Sequence, residues 1–234
     1  MVFTTSRLAA IALVFCSVLS ATSAVPVSLE QTAATPDAFS ALNHGNVKCR
    51  NVCEGVKPVN STRYFCRDAR LGPKKLPKFF PLDDITQPYD RLGGLCAAEF
   101  LDKWTFPNNG SYHYPDNQGF LVNTANLPIK GITTLPVGTL LDRFGSEFGS
   151  YLSPAEAPYP QRAIPPSNLD TLKDDSHYPY SYHVYKVVKA FDVEAGPIAG
   201  WFGQPGAGTQ YHTFKNILTL IGDGVLVRID LKRS

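Results

Sequence analysis

Beyond residue 24 the chain has no apolar run of the roughly 20 residues a membrane helix needs, and after Cys96 it has no cysteine. The first absence excludes a membrane span from the body of the protein. The second leaves everything from residue 97 onward to hold itself together by packing alone. Charge of one sign is also lacking: 22 Lys and Arg face 20 Asp and Glu, a formal net charge of +2 with no basic run, so no nucleic-acid partner is implied. Gly203-x-x-Gly206-x-Gly208 has the wrong order for a dinucleotide fingerprint, and no Lys-Ser/Thr pair follows it as in a P-loop. No Gly-x-Ser-x-Gly elbow occurs, and His44, His113, His177, His183 and His212 form no compact ligand set. Nucleophilic hydrolysis and a catalytic metal therefore lack candidates.

At the N-terminus, Arg7 precedes the apolar run Leu8–Leu19 and the small residues Ser20–Ala24, the pattern of a secretory signal peptide over 1–24. Removing it takes Cys16 away and leaves Cys49, Cys53, Cys66 and Cys96. An even number of cysteines in an oxidising compartment predicts two disulfides, with three pairings open. Cys49-x-x-x-Cys53 is half a zinc site at most, because no second close pair follows. The sequons Asn60-Ser-Thr62 and Asn109-Gly-Ser111 are N-glycan acceptors, which agrees with a secreted, extracellular or cell-surface protein.

The cysteines confine a stapled accessory region to 25–105, and the turn-rich stretch Phe106–Gly110 marks a boundary before a second region, 106–234. Within the first region, Leu95, Ala98, Leu101 and Trp104 recur at helical spacing and predict a helix over Gly94–Trp104. Strands are predicted at Thr139–Phe144 and, unbroken, at Tyr182–Val193, from their aromatic and β-branched residues. Ile217–Ile221 and Val225–Leu231 flank Gly222-Asp223-Gly224, which reads as a hairpin. With no helix of the length a βαβ array requires, the class is α+β with a strand-rich C-terminal half.

Arg143 and Arg162 each sit among Pro, Gly, aromatic or small residues, where a planar guanidinium fork suits a phosphate. The loop Ala199–Tyr211, "AGWFGQPGAGTQY", puts glycines beside a Trp-Phe pair and two glutamines, a composition expected to close around a ligand. In order, "LPVGTLLDRFG", "PYPQRAIPPSNL" followed by "YHVYKV", and "WFGQPGAGTQY" resemble the tuberculosis necrotizing toxin domain, above all its secreted fungal NAD glycohydrolases. The resemblance spans Gly131 to Phe214. It implies a small, distorted β-sheet core and hydrolysis of NAD+ to nicotinamide and ADP-ribose. On it, Arg143 and Arg162 hold the diphosphate side, and Phe144 and Tyr151 wall the nicotinamide end. Trp201 gives apolar support. Gln210, with Gln204 its rival, and Arg162 are the catalytic side chains. A strand-borne Gln210 is held more rigidly than a loop residue. Asp142, Glu147 and Glu194 match no catalytic motif position.

Nicotinamide in NAD+ is already a cationic leaving group, so its departure needs no general acid, and positioning and preorganised electrostatics carry the catalysis. A neutral amide suits that task, in contrast to the carboxylate pair of ordinary glycosidases. The resemblance further implies NAD+ as substrate, with NADP+ left open, and a homodimer; no cofactor is expected to be required, and calcium, which some relatives bind near the C-terminus, stays open. For calcium the tail offers Asp223 and Asp230 without a recognisable loop. Two alternatives stand beside this reading: ADP-ribosyl transfer or cyclisation, and a noncatalytic secreted binding protein.

Overall fold

The computed structural model describes residues 49–57, 61–171 and 177–230. The predicted signal peptide and Asn60 lie outside them. Seven strands, β1 (Gly131–Leu135), β2 (Leu140–Phe144), β3 (Tyr151–Pro154), β4 (Tyr182–Val187), β5 (Phe191–Pro197), β6 (Thr209–His212) and β7 (Leu226–Ile229), form one sheet. Its order is β1-β5-β6-β3-β2-β4-β7, with every neighbouring pair antiparallel. Among the described residues three short α-helices, α1 (Leu82–Thr86), α2 (Ala97–Trp104) and α3 (Ile217–Gly222), complete an α+β fold.

Strand β4, between β2 and β7, shows how both faces are covered. Its alternate side chains Tyr185 and Val187 join Leu141, Leu152, Ile217 and Leu220 on one face. Tyr182 and Val184 join Phe144, Tyr159, Leu82 and Ile85 on the other. A third cluster joins the Cys-bearing segment to the glycine-rich loop: Leu71, Leu92, Phe100 and Trp104 pack with Phe202. The described residues thus fall in one compact unit, and the third cluster spans the expected boundary near residue 106. The disulfides pair Cys49 with Cys96, at the start of α2, and Cys53 with Cys66. The predicted helix ending at Trp104 is present, its first turn fixed by the Cys96 N–H donating to Glu99 Oε2 at 3.0 Å.

Two strand expectations are corrected. Ile217–Ile221 is helical: the Asn216 side chain accepts from the Thr219 N–H at 2.8 Å as an N-cap, and Ile217 and Leu220 are buried three apart. A five-residue apolar run fits either period, and the cap decides it. Gly224, at φ +63, then ends the helix, its N–H donating to the Ile221 carbonyl at 3.0 Å. Tyr182–Val193 is likewise not one strand. The chain breaks at exposed Val188, Lys189 and Ala190, and β4 and β5 take places in opposite halves of the sheet.

Candidate active site

A cavity of about 490 Å³ opens where the sheet splits. β2 and β3 pair only at Leu141↔Pro154 and Asp142↔Ser153. Beyond that β3 turns to β6, at Tyr151↔His212 and Leu152↔Tyr211. The residues left facing the gap, Arg143 and Phe144 on β2 and Tyr151 on β3, line it together with Arg162 and Gln210. Five of the seven side chains expected at the site are therefore brought together.

The two arginines differ in electrostatic state. Arg162 donates to Asp142 Oδ1 and Oδ2 at 2.5 and 2.8 Å, and to the Ala157 carbonyl from Nε and Nη2 at 3.0 and 2.6 Å. These bonds leave one Nη1 hydrogen unused. Asp142 also accepts from the Tyr182 hydroxyl and the Glu156 N–H, both at 2.8 Å. Arg162 is thus a neutralised, buried cation, and its Cζ lies 5.0 Å from the centre of the Phe144 ring. Arg143 instead donates to carbonyls, Ser146 from Nε at 2.7 Å and Tyr151 from Nη1 at 2.8 Å, and makes no ion pair among the described residues. Burial pushes its pKa down, against the pull of Tyr185 and Glu147. Gly149 presses against it: a Cβ there would stand 2.0 Å from Nη2.

Gln210 is held from one end. Its Nε2 donates to the Gln118 carbonyl at 3.0 Å, while Oε1 accepts no bond among the described residues. A carbonyl partner only accepts, which fixes the amide's orientation. Tyr151 stacks on His212 with ring centres 4.8 Å apart, and burial raises its pKa.

Gln204 and Trp201 stand elsewhere, which corrects the expected ligand contacts of the loop. Gln204 is buried and its Nε2 donates to the Asp90 carbonyl at 2.6 Å; Trp201 Nε1 donates to the His113 carbonyl at 2.9 Å. The glycines serve the protein's own backbone. A Cβ on Gly203 would lie 2.8 Å from Gly93 Cα, and one on Gly208 would lie 2.7 Å from the Gln161 carbonyl oxygen. The loop is therefore a seam that locks the accessory segment and the Arg162 turn in place.

Sequence reasoning missed several lining residues. Asp142 was set aside for want of a motif position, although it sits next to Arg143 on β2. Asn168, inside the quoted "PPSNL", donates to the Phe144 carbonyl at 3.1 Å. Tyr114, Pro115 and Gln118 come from the segment before β1, for which the sequence offered only turn signals. Among the described residues no group of three His, Cys, Asp or Glu is placed to hold a metal ion.

An uncompensated guanidinium in a cavity wall asks for an anionic ligand, and aromatic walls ask for a planar one. The lining of the split sheet therefore suits a ligand that is both anionic and planar, as a nucleotide is. Residues 134–229 match the family described as tuberculosis necrotizing toxin. A conidial surface nicotinamide adenine dinucleotide glycohydrolase of Aspergillus fumigatus is 54% identical over 180 residues, which cover 76% of each chain. The tuberculosis necrotizing toxin structure, solved with its immunity factor, shares the fold at a TM-score of 0.51 and 20% identity, covering 73% of this chain and 92% of that one. The chain belongs to the tuberculosis necrotizing toxin family.

Proposed function

We propose that the chain is an NAD+ glycohydrolase that cleaves the bond between nicotinamide and ribose. The carrying observation is that one cavity holds Arg143, which has no carboxylate partner among the described residues, and Gln210, whose Oε1 accepts no bond among them. The 54% identity to an enzyme named for this activity points the same way. Arg143 supplies the charge that faces the diphosphate. Arg162, balanced by Asp142, adds its remaining Nη1 hydrogen and fixes the Phe144 ring. Phe144 and Tyr151 wall the nicotinamide end, and Gln210 Oε1 accepts from a ribose hydroxyl.

As the glycosidic bond stretches, its electron pair goes to nicotinamide, which leaves neutral, and the ribose takes on oxocarbenium character. Water adds at that carbon and releases one proton to solvent, giving ADP-ribose. Preorganised dipoles and a fixed ribose lower the barrier without a general acid, and the reading requires no cofactor or metal ion. NADP+ is a second candidate substrate. The reading also places the protein at the cell surface by secretion, as a glycosylated homodimer. Asn109 is exposed and its Oδ1 accepts from the Ser111 hydroxyl at 2.6 Å, a turn suited to a surface acceptor.

Steady-state NAD+ turnover in Gln210→Ala and Gln204→Ala tests the assignment. Gln210→Ala is expected to lose about 10²-fold in kcat with its thermal midpoint kept. Gln204→Ala is expected to lose stability and keep kcat. Full turnover in folded Gln210→Ala removes Gln210 from the mechanism.

A further inference from the structure

Antiparallel register puts Glu194 on β5, His212 on β6 and Tyr151 on β3 in a single row across three strands. Their neighbours Ala195, Tyr211 and Leu152 face the apolar core, so the row occupies the opposite face, with Gln210 two residues from His212. Within the row, His212 Nδ1 lies 2.8 Å from Glu194 Oε2, and the His212 ring stacks on Tyr151. Lys130 closes the circuit: its Nζ is 2.7 Å from Glu194 Oε1 and donates to Gln118 Oε1 at 2.8 Å. The Gln118 carbonyl in turn holds Gln210.

Two further observations mark this as a built device. Gln118 takes left-handed backbone, at φ +59 beside Asn117 at +53, which a long L side chain adopts at a penalty of about 1–2 kcal/mol unless its surroundings enforce it. Gly196, the register partner of Gln210, lets the crossing segment lie directly on the strand, since a Cβ there would be 2.2 Å from the Ile129 carbonyl oxygen. Both Gln118 and Lys130 precede the residues that match the family.

We infer that Lys130, Glu194 and His212 are positioning residues that hold the Gln118 turn beneath Gln210 and the Tyr151 ring in one fixed geometry. The segment between residue 106 and β1, which carries Gln118 and Lys130, thereby supplies part of the catalytic geometry. Partly exposed ion pairs such as these, with side chains 17–25% exposed, contribute only about 0–1 kcal/mol to folding, so the larger effect is expected on the site. Lys130 and His212 bonding hold Glu194 below the usual carboxylate range, which keeps it the anion this arrangement needs. The inference rests on the NAD+ reading for its kinetic assay.

The test compares Lys130→Met, Glu194→Gln and Lys130→Arg with the parent for kcat, KM, thermal midpoint and the Gln210 side-chain amide signals in ¹⁵N NMR. Lys130→Met and Glu194→Gln are expected to lose about tenfold in kcat with KM within about threefold and the midpoint unchanged, because small misplacements of a positioned group act on turnover. Lys130→Arg is expected to restore most of the loss. In the parent the Gln210 amide pair should be sharp and protected from exchange, and in Lys130→Met it should be averaged. Parental kcat in both neutral variants, or equal loss in Lys130→Arg, overturns the inference while leaving an active parent and its NAD+ reading intact. If the parent itself turns over no NAD+, that reading fails, and the amide signals decide the positioning role independently: unchanged signals in Lys130→Met overturn it.

Discussion

Arg162 and Asp142 pair through both Nη atoms at 2.5 and 2.8 Å, with side chains 4% and 0% exposed. Breaking such a pair from one side strands a buried charge, which costs about 3–5 kcal/mol. Asp142→Ala is therefore expected to unfold at markedly lower urea concentration than the parent. Asp142→Leu combined with Arg162→Met should recover much of that stability without recovering turnover. Recovery of both would show that Arg162 serves the fold alone.

Gly149→Ala separates geometry from stability. Its added Cβ would meet Arg143 Nη2 at 2.0 Å, the movable end of a side chain, on backbone that needs no positive φ. The guanidinium must shift away from the Ser146 and Tyr151 carbonyls that aim it. A loss of about 10²-fold in kcat/KM is expected, with the melting midpoint near the parent's. Unchanged kcat/KM would mean that Arg143 does not meet the ligand.

The accessory segment is stapled by Cys49–Cys96, which closes 47 residues of chain. Replacing both cysteines by alanine is expected to remove about 2–4 kcal/mol, read by chemical denaturation. The same variant should lose turnover before global unfolding, because α2 leads through residues 106–119 into the cavity wall.

Burial raises the Asp170 carboxyl to about 6, against the opposing pull of Arg63 and Arg91. The folded state then binds more protons than the unfolded one between about pH 4 and 6, so stability falls as pH rises through that window and levels off above it. Asp170→Asn should flatten this slope and stabilise the protein at pH 7 by about 1 kcal/mol, a modest figure because solvent screens a half-buried group. Thermal midpoints measured across that range check the sign. A midpoint that rises with pH in the parent and not in the variant contradicts it.

What was legible in the sequence follows from where the signal is local. The Asp142-Arg143-Phe144 strand, Arg162 and Gln210 came from ordered short motifs, Tyr151 from the resemblance they carry, and the sheet's split brings them to one cavity. Helix α3 was misread because Ile217–Ile221 is too short for its period to speak, and Asn216 alone carried the cap. Strands β1 and β3 gave no separate signal: β1 is exposed over four of its five residues, and β3 is four residues long. The glycine loop was misassigned because glycine marks close approach without saying of what. Here the neighbour is the protein's own backbone at Gly93 and Gln161. Asp142 as partner of Arg162, and Gln118 beneath Gln210, depend on contacts 20 and 92 residues apart that no local pattern encodes.

The most direct test of the account is product analysis of the purified protein incubated with NAD+ in chelator, with chromatographic separation of nicotinamide, ADP-ribose and cyclic ADP-ribose. The account predicts nicotinamide and ADP-ribose in equal amounts, formed about 10²-fold more slowly by Gln210→Ala. Cyclic product, ADP-ribose transferred to protein, or no turnover even after calcium is restored would contradict it.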